Sequence, residues 1–269
     1  MKNIFLILSL ILILPFAQSK EIDVIIPAIE KDLATLDKAI EAIKENGVDV
    51  RRVIVISENK LSLKADWVKE SAFPFSKADI ANIMNVHEDY KRIGWYYQQL
   101  LKIYAPFVIK DLSDKVLILD ADTIFLQKTQ FVNEQDQALL NVGLENNEAY
   151  HFHAKRLWPA YNKVYPSYSG ISNYMVFDRD ILTDLIQVVE KQHGEVFWKS
   201  FIQKVDPNDY SFAGASEYEI YFNFALIRHP EKVAIRPLKW RSVNTLRTMN
   251  LYKEHGYSFI TSHAYTRVQ

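Results

Sequence analysis

The stretch LILDADTIFL, residues 117–126, places two aspartates one residue apart at the end of an aliphatic run. Such a run is typical of a strand inside a parallel sheet that is covered on both faces. Burying a carboxylate is costly unless it is paired or binds a metal ion, and ligands of open α/β sheets lie beyond the carboxyl ends of the strands. Asp120 and Asp122 are therefore predicted to lie at a ligand site.

The sequence before this strand predicts a βαβ unit. Residues 22–26 form a short apolar strand that stops at Pro27, and apolar residues at helical spacing follow between Asp32 and Gly47. RRVIVIS, residues 51–57, is a second strand, so the connection is right-handed and the two strands are parallel. We expect an α/β fold with one domain and a mixed, mainly parallel central sheet.

The later part of the chain continues to alternate between helical and strand patterns. Helices are expected at RIGWYYQQLLKIYAPFVI, DRDILTDLIQVVEKQHG, EVFWKSFIQKV and SEYEIYFNFAL, and strands at ALLNVGLE, SNYMVFD, KVAIRPL and YSFITSHAY. Pro106 is expected to end the first of these helices, and Ser216 with Glu219 fits a capping box at the start of the last. This alternation supports the α/β assignment.

The aspartate pair itself predicts a metal site. Residues two apart on an extended chain point to the same side, so both carboxylates would face one ligand. Hard oxygen donors suit Mg²⁺ or Mn²⁺, which proteins hold with one or two carboxylates plus phosphate oxygens. From these residues alone, a solvated turn after the strand, with Asp122 as its cap, stays open as the alternative.

Four segments in order resemble glycosyltransferases of the GT-A fold. RIGWYYQQLLKIYA, VLILDADTIFL, YMVFDRDIL and SEYEIYFNF are similar to a family of uncharacterised glycosyltransferase-like proteins, and DKVLILDADTIFL resembles the D-x-D segment of glycogenin- and galactosyltransferase-like enzymes. The resemblance covers most of residues 22–265. It implies a Rossmann-like GT-A domain that moves a sugar from a nucleotide-sugar donor to a glycan or glycoconjugate acceptor, with Mn²⁺ or Mg²⁺ as cofactor.

The resemblance also implies which residues bind the metal and the donor. Asp120 and Asp122 match the D-x-D that binds the metal and the donor diphosphate and ribose, and His263 matches a C-terminal histidine that completes the metal site. Neutral imidazole is an acceptable third ligand. Additional donor contacts are expected from residues near the first strands and the preceding helix: Pro27, Glu58, Arg92, Gln98 and Lys102.

The acceptor site and the catalytic base are expected in the second half of the chain. Tyr168, Gly170 and Asn173 lie where enzymes of this fold often shape the acceptor pocket. An inverting enzyme needs a carboxylate to deprotonate the acceptor hydroxyl. Glu217 is the expected base, while Glu219 is expected to serve the capping box. The residue pattern leaves both inversion and retention open.

Composition excludes several classes of protein. The chain has 32 Lys and Arg against 33 Asp and Glu, so it lacks the positive charge of a general nucleic-acid binder. It has no cysteine, which excludes disulfides and cysteine zinc sites. No pattern in the sequence indicates an oligomeric state.

The N-terminal segment is typical of a secretory signal peptide. Lys2 precedes an apolar run from Ile4 to Leu14, and residues 17–19 form a small-x-small cleavage pattern. We expect residues 1–19 to be the signal peptide and residues 20–269 the glycosyltransferase domain, exported or in the lumen of the secretory pathway. An uncleaved signal-anchor is the alternative, although the run is short for a span of about 20 residues.

Two other functions fit parts of the pattern. A catalytically inactive, GT-A-shaped carbohydrate-binding protein would keep the fold without the transfer reaction. A phosphatase of the haloacid-dehalogenase type also carries D-x-D after a strand, but as D-x-D-x-[TV] near the start of its domain. Here Ile124 holds the fifth position, far into the chain, so the phosphatase fits less well.

Overall fold

The computed structural model describes residues 21–265, and the predicted signal peptide lies outside the described residues. The strands in this range are β1 (Ile22–Pro27), β2 (Val50–Ser57), β3 (Asp66–Lys69), β4 (Lys115–Leu119), β5 (Thr123–Phe125), β6 (Ala138–Leu140), β7 (Tyr174–Asp178), β8 (Val233–Ile235), β9 (Trp240–Ser242) and β10 (Phe259–Thr261). The helices are α1 (Leu33–Asn46), α2 (Lys77–Met84), α3 (Ile93–Val108), α4 (Glu148–Leu157), α5 (Arg179–His193), α6 (Phe197–Gln203), α7 (Glu217–Arg228) and α8 (Met249–Glu254).

The largest sheet has five strands in the order β3-β2-β1-β4-β7. The pairs β2–β3, β1–β2 and β1–β4 are parallel, and β7 runs antiparallel to β4. Every residue of β1 is buried, and so are the last four residues of β4, because helices cover both faces of a sheet built this way. The predicted α/β fold with a mixed, mainly parallel sheet is confirmed.

Helix α3 extends beyond the predicted stop. Pro106 lies inside the helix, which continues to Val108. Proline removes one N–H from the helical ladder, but Pro106 is buried in the last turn, where its packing offsets the lost bond. The helix buries most of its surface, including the polar side chains of Gln99 and Lys102. It therefore carries polar groups into the interior rather than presenting a solvated face.

Helix α7 begins at a true N-cap but not at a capping box. The hydroxyl of Ser216 accepts a hydrogen bond from the Glu219 N–H at 3.1 Å. The Glu219 carboxylate does not return to Ser216; it accepts from the Gly170 N–H at 2.8 Å and from the Asn223 side chain at 2.9 Å. The predicted box is wrong in this half, because a buried loop N–H competes successfully for the carboxylate.

A small second sheet brings the end of the described chain to the aspartate pair. Strand β10 pairs antiparallel with β5, with Thr261 opposite Thr123, and it pairs parallel with β9. The residues that follow β10 therefore lie beside those that precede β5. Within residues 21–265, no helix has the length and apolar character needed to cross a membrane.

Candidate functional site

The aspartate pair lies in a turn at the carboxyl end of β4. The Thr123 N–H donates to the Asp120 carbonyl at 3.0 Å, and the Asp120 N–H donates to the Asn173 carbonyl at 3.1 Å. The chain is thus folded back between β4 and β5. The prediction that both carboxylates point to the same side required an extended chain at this position. The two carboxylates consequently meet different neighbours.

The Asp120 carboxylate belongs to a buried charged cluster with Lys102, Glu217 and Tyr218. The Lys102 Nζ donates to Asp120 Oδ1 and to Glu217 Oε1, both at 2.7 Å. The Tyr218 hydroxyl donates to the same Asp120 oxygen at 3.2 Å, and Lys102 Nζ lies 4.2 Å from the centroid of the Tyr218 ring. Only 5% of the Lys102 side chain and 6% of the Glu217 side chain are exposed. One buried ammonium therefore bridges two carboxylates.

The charge of Lys102 is fixed by these partners. Burial alone would lower the pKa of Lys102, but the carboxylates of Asp120 and Glu217 outweigh it and hold the pKa well above the ordinary value of 10.5. Burial together with the Asp120 charge raises the pKa of the Tyr218 hydroxyl. Tyr218 was not among the residues predicted from the sequence, although it directly follows the predicted base Glu217.

The Asp122 carboxylate faces the predicted histidine. Pairing of β5 with β10 places the Ser262 N–H on the Asp122 carbonyl at 3.0 Å. The next residue, His263, brings its Nδ1 to 3.1 Å from Asp122 Oδ2. The other carboxylate oxygen, Oδ1, is buried and makes no hydrogen bond within the described part of the chain. A buried carboxylate oxygen without a partner is costly and marks a position for a ligand.

Asp122 and His263 fit part of a divalent-cation site. A hard carboxylate oxygen and an imidazole nitrogen are acceptable to Mn²⁺ or Mg²⁺. Among residues 21–265, no three His, Cys, Asp or Glu side chains are grouped so that they alone hold a metal ion. The structure brings two of the three predicted ligands together, and Lys102 holds an oxygen of the third, Asp120.

Replacing His263 with alanine is expected to weaken Mn²⁺ binding by at least about 10- to 100-fold, the range found when a metal site loses only an outer-shell partner of a ligand. Only 23% of the His263 side chain is exposed, and it contacts Asp122, the exposed ring of Tyr265 and, at the long distance of 3.4 Å, the Thr261 hydroxyl. We therefore expect the melting temperature without metal to change little. Calorimetric titration with Mn²⁺ and a thermal melt measure the two quantities.

His229 supplies the matched control for this variant. Its Nε2 lies 2.8 Å from Asp184 Oδ2, so His229→Ala removes a similar histidine–aspartate contact at another place. The control is expected to leave Mn²⁺ affinity unchanged. A His263→Ala protein that melts much earlier and still binds Mn²⁺ like the native chain would show that His263 is structural.

The predicted donor-binding residues lie along the carboxyl ends of β1 and β2 and on α3. The Pro27 carbonyl accepts from the Gln98 side chain at 3.4 Å, so these two residues are together. Glu58 follows β2 and pairs with Lys69 at 3.0 Å. Arg92 precedes α3, and its guanidinium lies 5.5 Å from the centroid of the Trp95 ring. Of the predicted donor-binding residues on α3, only Lys102 forms a hydrogen bond with the aspartate pair, through Asp120.

The predicted acceptor residues divide between surface and interior. Tyr168 is 45% exposed and packs against the Tyr165 ring. Gly170 is buried so closely against α7 that an added Cβ would lie 2.5 Å from the Phe222 Cβ, so its part is packing. Asn173 has a left-handed backbone, with φ of 63°, and its carbonyl accepts the Asp120 N–H. Tyr168 and Asn173 are therefore the two that remain open to a ligand role.

A second buried polar network holds the loop before β7 against α7. The Tyr161 hydroxyl lies 2.6 Å from His151 Nδ1 and 3.3 Å from the Asn223 side chain. Burial raises the pKa of Glu219, which accepts from Asn223, and burial lowers the pKa of His151. A neutral His151 imidazole that accepts a hydrogen bond from the Tyr161 hydroxyl agrees with the lowered pKa of His151 and the raised pKa of Glu219. This network fixes the loop that carries Tyr168.

Two clefts open beside the carboxyl ends of β1 and β2. One, of about 360 Å³, is lined by residues that include Ala28 and Ser57; the other, of about 530 Å³, reaches Tyr97. Glu58, Glu70 and Lys77 line both. Glu70 and Lys77 were not predicted from the sequence, since they lie in a stretch without clear periodicity.

The chain shows little similarity to known proteins. No family model matches the chain, and no curated protein matches it. Among solved structures, the chain is similar to mouse xyloside xylosyltransferase 1 in its apo form, with a TM-score of 0.43 and 12% sequence identity. That match covers 93% of this chain and 99% of the mouse chain. At this TM-score the match carries no argument about activity.

Proposed function

We propose that the chain is a metal-dependent glycosyltransferase that moves a sugar from a nucleotide-sugar donor to a glycan or glycoconjugate acceptor. The observation that supports this most is the Oδ1 of Asp122, which is buried near His263 at the carboxyl end of an interior sheet strand and has no hydrogen-bond partner among residues 21–265. The sequence resemblance to GT-A glycosyltransferases points to the same residues. An α/β sheet binds ligands at this end.

The metal would be held by Asp122 and His263, with Asp120 at its edge. Because Mg²⁺ and Mn²⁺ sites in such enzymes take one or two carboxylates plus substrate phosphates, the donor diphosphate would complete a site for which the protein supplies too few ligands. When bound, the cation offsets the charge of the diphosphate and favours its departure as a leaving group.

The protein groups around the metal site would orient the reactants. Lys102 donates a hydrogen bond to the Asp120 carboxylate, and the Asn173 carbonyl accepts one from the Asp120 N–H, so both hold Asp120 in place. The exposed Tyr168 ring offers an aromatic face of the kind that sugars stack on. Glu217 stays the candidate base for the acceptor hydroxyl, and retention or inversion is left open.

One observation favours a second candidate, a catalytically inactive carbohydrate-binding protein of the same shape. The predicted base Glu217 is buried and serves as a counter-ion of Lys102. A general base must reach the proton that it abstracts, and a carboxylate engaged in this way is a poor base unless the pair opens. Hydrolysis or transfer of a nucleotide sugar separates the two candidates.

A screen of nucleotide sugars with and without Mn²⁺ tests the proposal. Ligand binding to the native state raises its apparent stability, so we expect the melting temperature to rise by about 5–10 °C at a ligand concentration near 100 Kd. The rise should require Mn²⁺. Release of nucleoside diphosphate from the same samples indicates catalysis, while stabilisation without release indicates the binding protein. The absence of metal-dependent stabilisation by every donor would overturn the proposed transferase.

A further inference from the structure

The Glu70–Lys77 pair lies where the two clefts meet. Glu70 follows β3 and Lys77 begins α2, and both residues line both clefts. The Glu70 side chain is 7% exposed, whereas the Lys77 side chain is 43% exposed. Burial raises the pKa of Glu70, which Lys77 opposes. A buried carboxylate such as that of Glu70 needs a hydrogen-bonding partner.

The pair is looser than a tight ion pair. Lys77 Nζ lies 3.4 Å from Glu70 Oε2, beyond the 2.7–2.9 Å usual for a charge-assisted hydrogen bond. Lys77 Nζ also lies 5.3 Å from the centroid of the Tyr97 ring, which forms part of the cleft wall. The cleft therefore presents an ammonium and a carboxylate side by side, each with hydrogen-bonding capacity to spare, next to an aromatic side chain.

We infer that this cleft takes the base of the donor nucleotide and selects guanine, an inference that rests on the proposed function. The edge of guanine presents an acceptor, O6, followed by two donors, N1–H and N2–H₂. Lys77 has only donors and the Glu70 carboxylate has only acceptors. If O6 accepts a hydrogen bond from Lys77, and N1–H and N2–H₂ donate to the Glu70 carboxylate, each of these three guanine groups has a partner.

The other bases lack this order of groups. Uracil carries an acceptor on each side of its single N–H, so its O4 on Lys77 would turn O2 toward the Glu70 carboxylate. Adenine presents a donor beside an acceptor nitrogen, and cytosine one donor and two acceptors. Adenine and cytosine can place the amino group on Glu70 and a ring nitrogen on Lys77, but the second carboxylate oxygen then has no N–H to accept. Each of the three bases therefore makes fewer hydrogen bonds than guanine to a buried carboxylate, and an unsatisfied buried acceptor is costly.

The distance from this cleft to the aspartate turn suits a nucleoside diphosphate. Glu70 follows β3, and the sheet order β3-β2-β1-β4 puts three strand spacings, about 14 Å, between β3 and β4. A base, a ribose and a diphosphate together span about that distance. The base at Glu70 and the phosphates at Asp122 then belong to one molecule lying across the carboxyl ends of the strands.

Calorimetric titration of the native chain with GDP, IDP, UDP and ADP, each with Mn²⁺, tests the inference. IDP differs from GDP only in lacking the N2 amino group. We expect GDP to bind at least about tenfold more tightly than IDP, because a hydrogen bond to a charged group is lost, and more tightly than UDP or ADP. Metal-dependent binding with UDP or ADP preferred would overturn the guanine inference and leave the proposed function standing.

The variant Glu70→Gln tests whether Glu70 is responsible for the selectivity. An amide keeps the shape but offers one acceptor instead of two, so the preference for GDP over IDP should fall to nearly one. Glu41→Gln is the matched control: Glu41 pairs with Lys64 at 2.6 Å, its side chain is 48% exposed and it lines neither cleft, so the GDP preference of this variant should stay. A Glu70→Gln protein that keeps the native preference would overturn the role of Glu70. If no nucleoside diphosphate binds the native chain at all, the proposed function fails as well.

Discussion

Replacing Lys102 with methionine is expected to lower the free energy of unfolding by about 3–5 kcal/mol. Methionine keeps the length of the side chain, so the main loss is the ammonium between Asp120 and Glu217. Removing one partner from a buried ion pair leaves an uncompensated charge, and that costs this amount. Asp120 is 26% exposed and can regain some hydration, whereas Glu217 is 6% exposed and cannot. Urea unfolding of both proteins measures the difference.

A second substitution shows that the loss comes from the stranded carboxylate. In Lys102→Met with Glu217→Gln, the buried charge is absent, and the double variant should recover at least about 1 kcal/mol relative to Lys102→Met. Lys199→Met is the matched control. Lys199 pairs with Glu195 at the surface, with side chains 40% and 36% exposed, so its loss should stay below about 1 kcal/mol. Equal losses for the Lys102 and Lys199 variants would contradict the buried cluster.

The effect of the Lys102 substitution should depend on pH in one direction. Burial alone would lower the pKa of Lys102, but Asp120 and Glu217 raise it well above 10.5 on folding. A group whose pKa is raised on folding stabilises the native state fully below its unfolded pKa, and the contribution is lost as the pH rises through the folded pKa. The gap between the native chain and the variant should thus be full from pH 7 to 9 and shrink above about pH 10.5.

The sheet and most helices could be predicted because their signals are local. Buried aliphatic runs identify β1 and β4, and helical spacing with Gly194 as the stop identifies α5, where that glycine adopts the left-handed conformation. Short strands such as β3 and β9 carry few residues and little pattern. They exist because neighbouring strands offer free edges, which no window of sequence displays.

The contacts of the candidate site depend on residues far apart in sequence. Lys102 has the pattern of a solvated helix position, and its burial is explained by Asp120 together with Glu217, which lies 115 residues later. The turn at Asp120 depends on the Asn173 carbonyl, and the partner of Asp122 is 141 residues away. His263 was placed at the site only through resemblance to a family. Spacing alone would not have joined it to Asp122.

Replacing Asp122 with asparagine is expected to abolish Mn²⁺-dependent binding of a nucleoside diphosphate, a loss of at least about 100-fold. Asparagine keeps the size of the side chain but removes the charge whose Oδ1 is buried without a hydrogen bond in the described chain. Loss of even an outer-shell partner weakens metal sites by about 10- to 100-fold, so loss of a ligand charge should cost more. Titration with GDP and UDP, with and without Mn²⁺, measures the change whichever base is preferred.

Asp136→Asn is a control that tests whether the loss of binding is specific to the carboxyl end of β4. Asp136 pairs at 2.7 Å with Lys115, the first residue of β4, whereas Asp122 lies past the last residue of that strand. The control removes one carboxylate charge at the opposite end and should bind nucleotide and Mn²⁺ like the native chain. Metal-free melts should be similar for all three proteins, so that lost binding is not lost folding. If Asp122→Asn keeps its Mn²⁺-dependent affinity, the metal does not bind at the aspartate turn. The unpaired Oδ1 would then need another partner, since a buried carboxylate oxygen is not left unsatisfied without cost.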